Sequence, residues 1–108
     1  MRPFLTLHDP SRAAAYYDAG LWTRDTFYSL LSEWADRRPT QPALRDGRQN
    51  LNWQQLKGRV DAMADDLAAQ GLVAGDRVSL WMSNRLEAVV VFLACSREGY
   101  ACNPSLTW

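Results

Sequence analysis

Apolar positions along this chain form three kinds of stretch. Ala88–Cys95 is apolar without interruption, Trp53–Leu67 recurs by threes and fours, and Phe27–Trp34 carries a single stripe. The first lies within Gly75–Pro104, which predicts a strand, a buried helix and a second strand. Arg77–Met82 is a short run of β-branched and large apolar residues behind a Gly-Asp turn, a strand pattern. Asn84 with Glu87 three residues on has capping-box spacing, and Gly99 supplies a left-handed stop. These signals favour a helix from about Arg85 to Glu98, although periodicity alone cannot separate a buried strand from a buried helix. Tyr100–Cys102 then predicts a strand ending at Asn103-Pro104. A helix apolar on all sides needs cover on both of them, from the rest of this chain or from elsewhere.

The other elements follow from caps and spacing. Ser11 predicts a short helix Arg12–Ala19 ended by Gly20, with Leu21 and Trp22 anchoring it on the body and residues 1–10 a flexible arm. Asp25 or Thr26 caps a helix whose stripe is Phe27, Leu30, Leu31 and Trp34, and Pro39 stops it near Arg37. Asp46-Gly47 predicts a two-residue hairpin turn between Ala43–Arg45 and Arg48–Leu51. Asn52 and Gln55 form a capping box for a helix reaching Gln70, with Trp53, Leu56, Val60, Met63 and Leu67 inward and Gly58 available for close packing. Gly71–Gly75 turns the chain into the following strand.

Composition narrows the function. The chain has 108 residues, 47% hydrophobic and 22% charged, with formal net charge zero. Its one lysine, Lys57, and eleven scattered arginines lack the clustered footprint of a nucleic-acid binder. The longest apolar run, eight residues, is far short of the roughly 20 that a membrane-spanning helix needs. A cytoplasmic protein is the expectation. Cys95 and Cys102, with the single His8, do not make a zinc site and read as reduced core thiols. The carboxylates fall at caps, turns and outer faces, Asp61 and Asp65-Asp66 among them. No catalytic, cofactor-binding or metal-ligating residue is expected in this chain. The two glycines of 71–75 lead into a strand instead of opening a helix, unlike a phosphate loop.

The ordered features resemble the N-terminal segment of adenylate-forming acyl-CoA synthetases. The matching residues are Thr26-Phe27 with Leu30-Leu31, Arg38-Pro39, Pro42-Ala43-Leu44, Asp46-Gly47 and Leu51–Leu56. The signature block is Gly75-Asp76-Arg77-Val78, Asn84, Glu87, Phe92-Leu93-Ala94, Gly99 and Asn103-Pro104. Asn52 stands where that family most often has threonine, and Cys102 where small or β-branched residues are usual. The resemblance implies an α/β fold, a partial N-terminal domain. Its expected order is N-terminal helices, a short β-hairpin, a long amphipathic helix, then a β-α-β unit with parallel strands. Residues 1–108 would form an incomplete N-terminal AMP-binding domain segment, itself inactive. The phosphate loop, adenine and ribose motifs and catalytic lysine lie downstream in that family. The implied parent activates a small carboxylic acid with ATP and Mg²⁺ and passes the acyl group to coenzyme A. Tyr16-Tyr17, Gly20-Leu21-Trp22 and Cys102–Leu106 resemble members acting on medium-chain, alicyclic or aryl acids, cyclohexanecarboxylate-CoA ligases first. A stand-alone α/β interaction module and a small nucleotide-binding module are the alternatives. Apolar surface near Val89–Phe92 or Trp81 is expected to be exposed or covered by a second copy.

Overall fold

The structure is a computed structural model and describes residues 7–105. Helix α1 (Pro10–Asp18) comes first, then α2 (Phe27–Arg37), strands β1 (Pro42–Arg45) and β2 (Asn50–Asn52), and the long helix α3 (Trp53–Ala69). Strand β3 (Arg77–Trp81), helix α4 (Leu86–Glu98) and strand β4 (Ala101–Ser105) complete it. The expected α/β order is the observed one. β1 and β2 pair antiparallel, β3 and β4 pair parallel, and the two pairs form separate sheets.

The core is built where α2, α3 and α4 meet. Leu31, Leu56, Val60, Ala64, Leu86, Val90 and Ala94 are buried together. Three alanine or valine positions, Val60, Ala64 and Ala94, are fully inaccessible, so small side chains let the α3 and α4 backbones approach. A second cluster under the parallel strands joins Leu80, Val91, Cys95 and Tyr100. Burying a side chain of valine or leucine size stabilises by about 1.5–3 kcal/mol. These two clusters are therefore the main attractive contribution.

Several local expectations needed correction. The α2 stripe is rotated: Leu31 and Ala35 are buried, whereas Phe27, Leu30 and Trp34 keep exposed area. Phe27 meets Phe92 edge-on at 5.3 Å and Trp34 stacks on Trp53 at 5.9 Å, so these rings cover neighbouring elements from outside. The cap of α1 is Asp9, whose carboxylate accepts from Arg12 N–H, with Pro10 opening the helix in place of the expected Ser11 cap. Of the expected arm 1–10, residues 1–6 lie outside the described residues. Leu21 and Trp22 do not anchor α1 on the body. Trp22 packs on Tyr16 at 4.9 Å and on Tyr17 at 5.7 Å, while Leu21 is exposed. Gly58 faces solvent, with nothing near its missing Cβ, and mediates no close packing. Strand β4 runs through Asn103-Pro104 to Ser105, with Pro104 opposite Leu80. A proline fits there because it removes a donor only from a strand flanked on one side.

The hairpin turn also differs. The strands pair Arg45 with Asn50, so the loop covers 46–49 instead of two residues. Asp46 N–H donates to Gln49 C=O at 3.0 Å, and the Asp46 carboxylate accepts from the N–H of Arg48 and of Gln49, both at 2.8 Å. Gly47 is not among the glycines with positive φ. The aspartate side chain, and not glycine's freedom, shapes this turn.

Candidate functional site

Three groupings of polar or reactive side chains occur among the described residues. The first joins the hairpin to α4. Asn84 does not cap this helix, and the Asn84–Glu87 capping box is absent. The N-cap is Arg85, which makes no side-chain cap bond. Leu86 N–H donates instead to Asp46 Oδ2 at 3.1 Å, across 40 residues of sequence. Glu87 accepts from Gln49 Nε2 at 2.8 Å, and Gln49 Oε1 in turn accepts from Arg59 at 2.9 Å. The second Glu87 oxygen is buried without a hydrogen-bond partner. The backbone amides of Arg48, then Leu86 and Gln49, hold the Asp46 carboxyl below its ordinary value. A turn aspartate thus serves as the cap of a distant helix, satisfying one of its orphan amides.

The second grouping centres on Asp61, which is not on an outer face as expected. Tyr28 Oη donates to Asp61 Oδ1 at 2.6 Å and Lys57 Nζ to Oδ2 at 2.9 Å. Arg97 donates to the Asp61 carbonyl at 3.1 Å and to Asp65 at 3.0 Å. Burial opposes ionisation of Asp61, yet the Tyr28 and Lys57 bonds outweigh it and keep its pKa low. The same contacts with Asp61 and Tyr28 raise Lys57. Both Asp61 carboxylate oxygens, the Lys57 ammonium and the Arg97 guanidinium already have partners on α2, α3 or α4. Chemically the group is a polar joint between three helices. Sequence spacing shows only the Lys57–Asp61 pair, four apart on one helix; Tyr28 and Arg97 arrive through packing.

The third is the Cys95–Cys102 pair, both free thiols. Cys95 is buried as expected, but Cys102 is only half-buried. The pair lines a cavity of about 220 Å³ with Phe27, Phe92, Ser96 and Tyr100. Burial first, and the neighbouring Cys102 second, push the Cys95 thiol up to about 12.

In the turn 71–76, Gly75 N–H donates to Gly99 C=O at 2.8 Å and Asp76 N–H to Val73 C=O at 3.0 Å. Val73 N–H donates to Asp76 Oδ2 at 2.9 Å. A phosphate cradle needs free backbone donors at a helix start, and these donors are committed within the fold. Among the described residues no three His, Cys, Asp or Glu side chains group as metal ligands. No helix of the described chain is long and apolar enough to cross a membrane.

Comparison with known proteins places this scaffold. The chain is 38% identical over 93 residues to a Streptomyces salicylyl-CoA synthase / salicylate adenylyltransferase, covering 85% of this chain and 17% of that protein. It is 36% identical over 93 residues to a salicyl-AMP ligase / salicyl-S-ArCP synthetase of Mycobacterium tuberculosis, covering 82% and 16%. The apo structure of Mycobacterium smegmatis MbtA superposes with a TM-score of 0.82 at 29% identity, over 90% of this chain and 18% of that one. The chain spans about a sixth of the length of these curated relatives. A match to the AMP-binding enzyme description runs over residues 31–106, from within α2 past the end of β4. With the fold and these relatives in agreement, the chain belongs to the AMP-binding enzyme family, the adenylate-forming ligases.

Proposed function

We propose that the chain is the N-terminal scaffold segment of a longer ligase that joins a small carboxylic acid to ATP as an acyl-adenylate, then passes the acyl group to coenzyme A. The supporting observation is the family match over 31–106 in a chain that spans about a sixth of its relatives. In this reading residues 1–108 are an incomplete AMP-binding domain segment, and ATP, Mg²⁺, coenzyme A and the acid are held by residues beyond it. The segment contributes no catalytic group. Its own part is positional: the α2–α3–α4 body and the capped start of α4 hold β3 and β4 in parallel register. A cytoplasmic setting suits an enzyme fed by ATP and coenzyme A.

An aryl acid is the preferred substrate class, because the salicylate names belong to relatives above 35% identity. Cyclohexanecarboxylate, the alicyclic analogue, is its nearest competitor. Acid-dependent exchange of labelled pyrophosphate into ATP by the protein carrying this chain tests the first half-reaction, with salicylate, benzoate and cyclohexanecarboxylate compared. Exchange with none of a broad acid panel would overturn the ligase reading. Thioester formation with added coenzyme A tests the second. Exchange without that product would move the acceptor to a carrier-protein thiol, as the name of the M. tuberculosis relative suggests. Calorimetry on residues 1–108 should show no micromolar ATP binding. The same sample should self-associate at high concentration, because Trp81 is 82% exposed and Phe92 partly so.

A further inference from the structure

We propose that Cys95 and Cys102 are a redox pair that closes into an intrachain disulfide tying α4 to β4 when a small-molecule disulfide is present, with Cys102 reacting first. The placement comes from the turn between the two elements. The Cys95 carbonyl accepts from both Gly99 N–H at 2.9 Å and Tyr100 N–H at 3.0 Å, which folds the chain back at the end of α4. Gly99, at φ 77°, makes that reversal. Cys102 then packs against the buried cluster containing Cys95, and both thiols line the same cavity. Cys102 is half-buried and reachable, while Cys95 is 1% exposed.

The order of events follows from burial. A thiolate is the attacking species, and it forms more readily at a site open to water. Cys102 thiolate attacks one sulfur of glutathione disulfide; the Cys102–glutathione bond forms and one glutathione thiolate leaves. Cys95, held protonated chiefly by burial, gives up its proton only as it reacts with the Cys102 mixed disulfide beside it. Its proton passes to solvent. Cys95 sulfur then attacks Cys102 sulfur, and the second glutathione leaves as thiolate. Two protein thiols are oxidised and one glutathione disulfide is reduced to two glutathiones.

The protein carrying this chain is treated with glutathione disulfide, alkylated and digested with trypsin without reduction. Cleavage after Arg85 and Arg97 puts Cys95 and Cys102 on separate peptides. The expected product is residues 86–97 linked to the peptide starting at Glu98, two hydrogens lighter than the separate peptides. Cys102→Ser should leave Cys95 unmodified, and Cys95→Ala should stop at a glutathione adduct on Cys102. The proposal is overturned if the unsubstituted protein stops at that adduct, or if only links between separate chains form. The peptide map of the unsubstituted protein decides the matter even where a variant fails to fold.

Discussion

Helices α3 and α4 lie side by side in the core, yet their N-termini are held in opposite ways. Asn52 accepts from Gln55 N–H at 2.8 Å while the Gln55 side chain accepts from Asn52 N–H at 2.9 Å, so α3 is closed by its own neighbours. At α4, Asn84 and Glu87 have the same spacing but make no such exchange, and the cap comes from Asp46 in the hairpin. The difference lies in competition for the side chains. Glu87 is committed to Gln49 on the hairpin, and Asp46 is already aimed by its turn. A local motif forms only where tertiary contacts leave its members free.

The largest effect tests whether α4 is held chiefly by apolar burial. Leu86→Ala, at the 2%-exposed first residue of α4, should lower stability by about 2–5 kcal/mol in urea unfolding, as large-to-small core changes do. A loss below about 1 kcal/mol would shift the weight to the polar cap. Next comes the contrast itself. Asp46→Ala removes the acceptor of three backbone amides and should lower the melting temperature clearly, whereas Asn84→Ala should leave it nearly unchanged. Equal effects would restore the local cap. The pH dependence has a definite sign. The folded pKa of Asp46 is lowered from 3.8, so its contribution is complete above the unfolded value and is lost as pH falls below it. Asp46→Asn keeps an acceptor but should flatten that acid limb of the stability curve.

Asn52→Ala should cost about 1 kcal/mol, the usual loss of an N-cap, and should speed amide exchange in the first turn of α3 while sparing α4. The smallest effect belongs to the N-terminal helix. Trp22→Ala removes the ring that packs on Tyr16 and Tyr17 and should change global unfolding by less than about 0.5 kcal/mol. It should still abolish protection in α1, because that cluster is local. A large global loss would show α1 coupled to the body.

Much of the fold was legible along the chain. The cap at Thr26, the boxed start of α3, the glycine stops at Gly71 and Gly99, and the strand–helix–strand order all depend on residues within a few positions of each other. The family resemblance rested on the same ordered motifs. The face that α2 buries was not legible, since Phe27, Leu30, Leu31 and Trp34 are equally apolar and only the neighbours select Leu31. Asp61 was misplaced on an outer face because its partners Tyr28 and Arg97 stand 33 and 36 residues away.

The sequence by itself determined element order, the caps of α2 and α3 and the membership of the family, because short-range hydrogen bonds and backbone preferences operate between near neighbours. Tertiary structure alone decided which acceptor closes α4, that Asp61 joins three helices, and that Cys95 and Cys102 share one cavity. Each of those depends on side chains that meet only after the apolar faces of α2, α3 and α4 have excluded water between them.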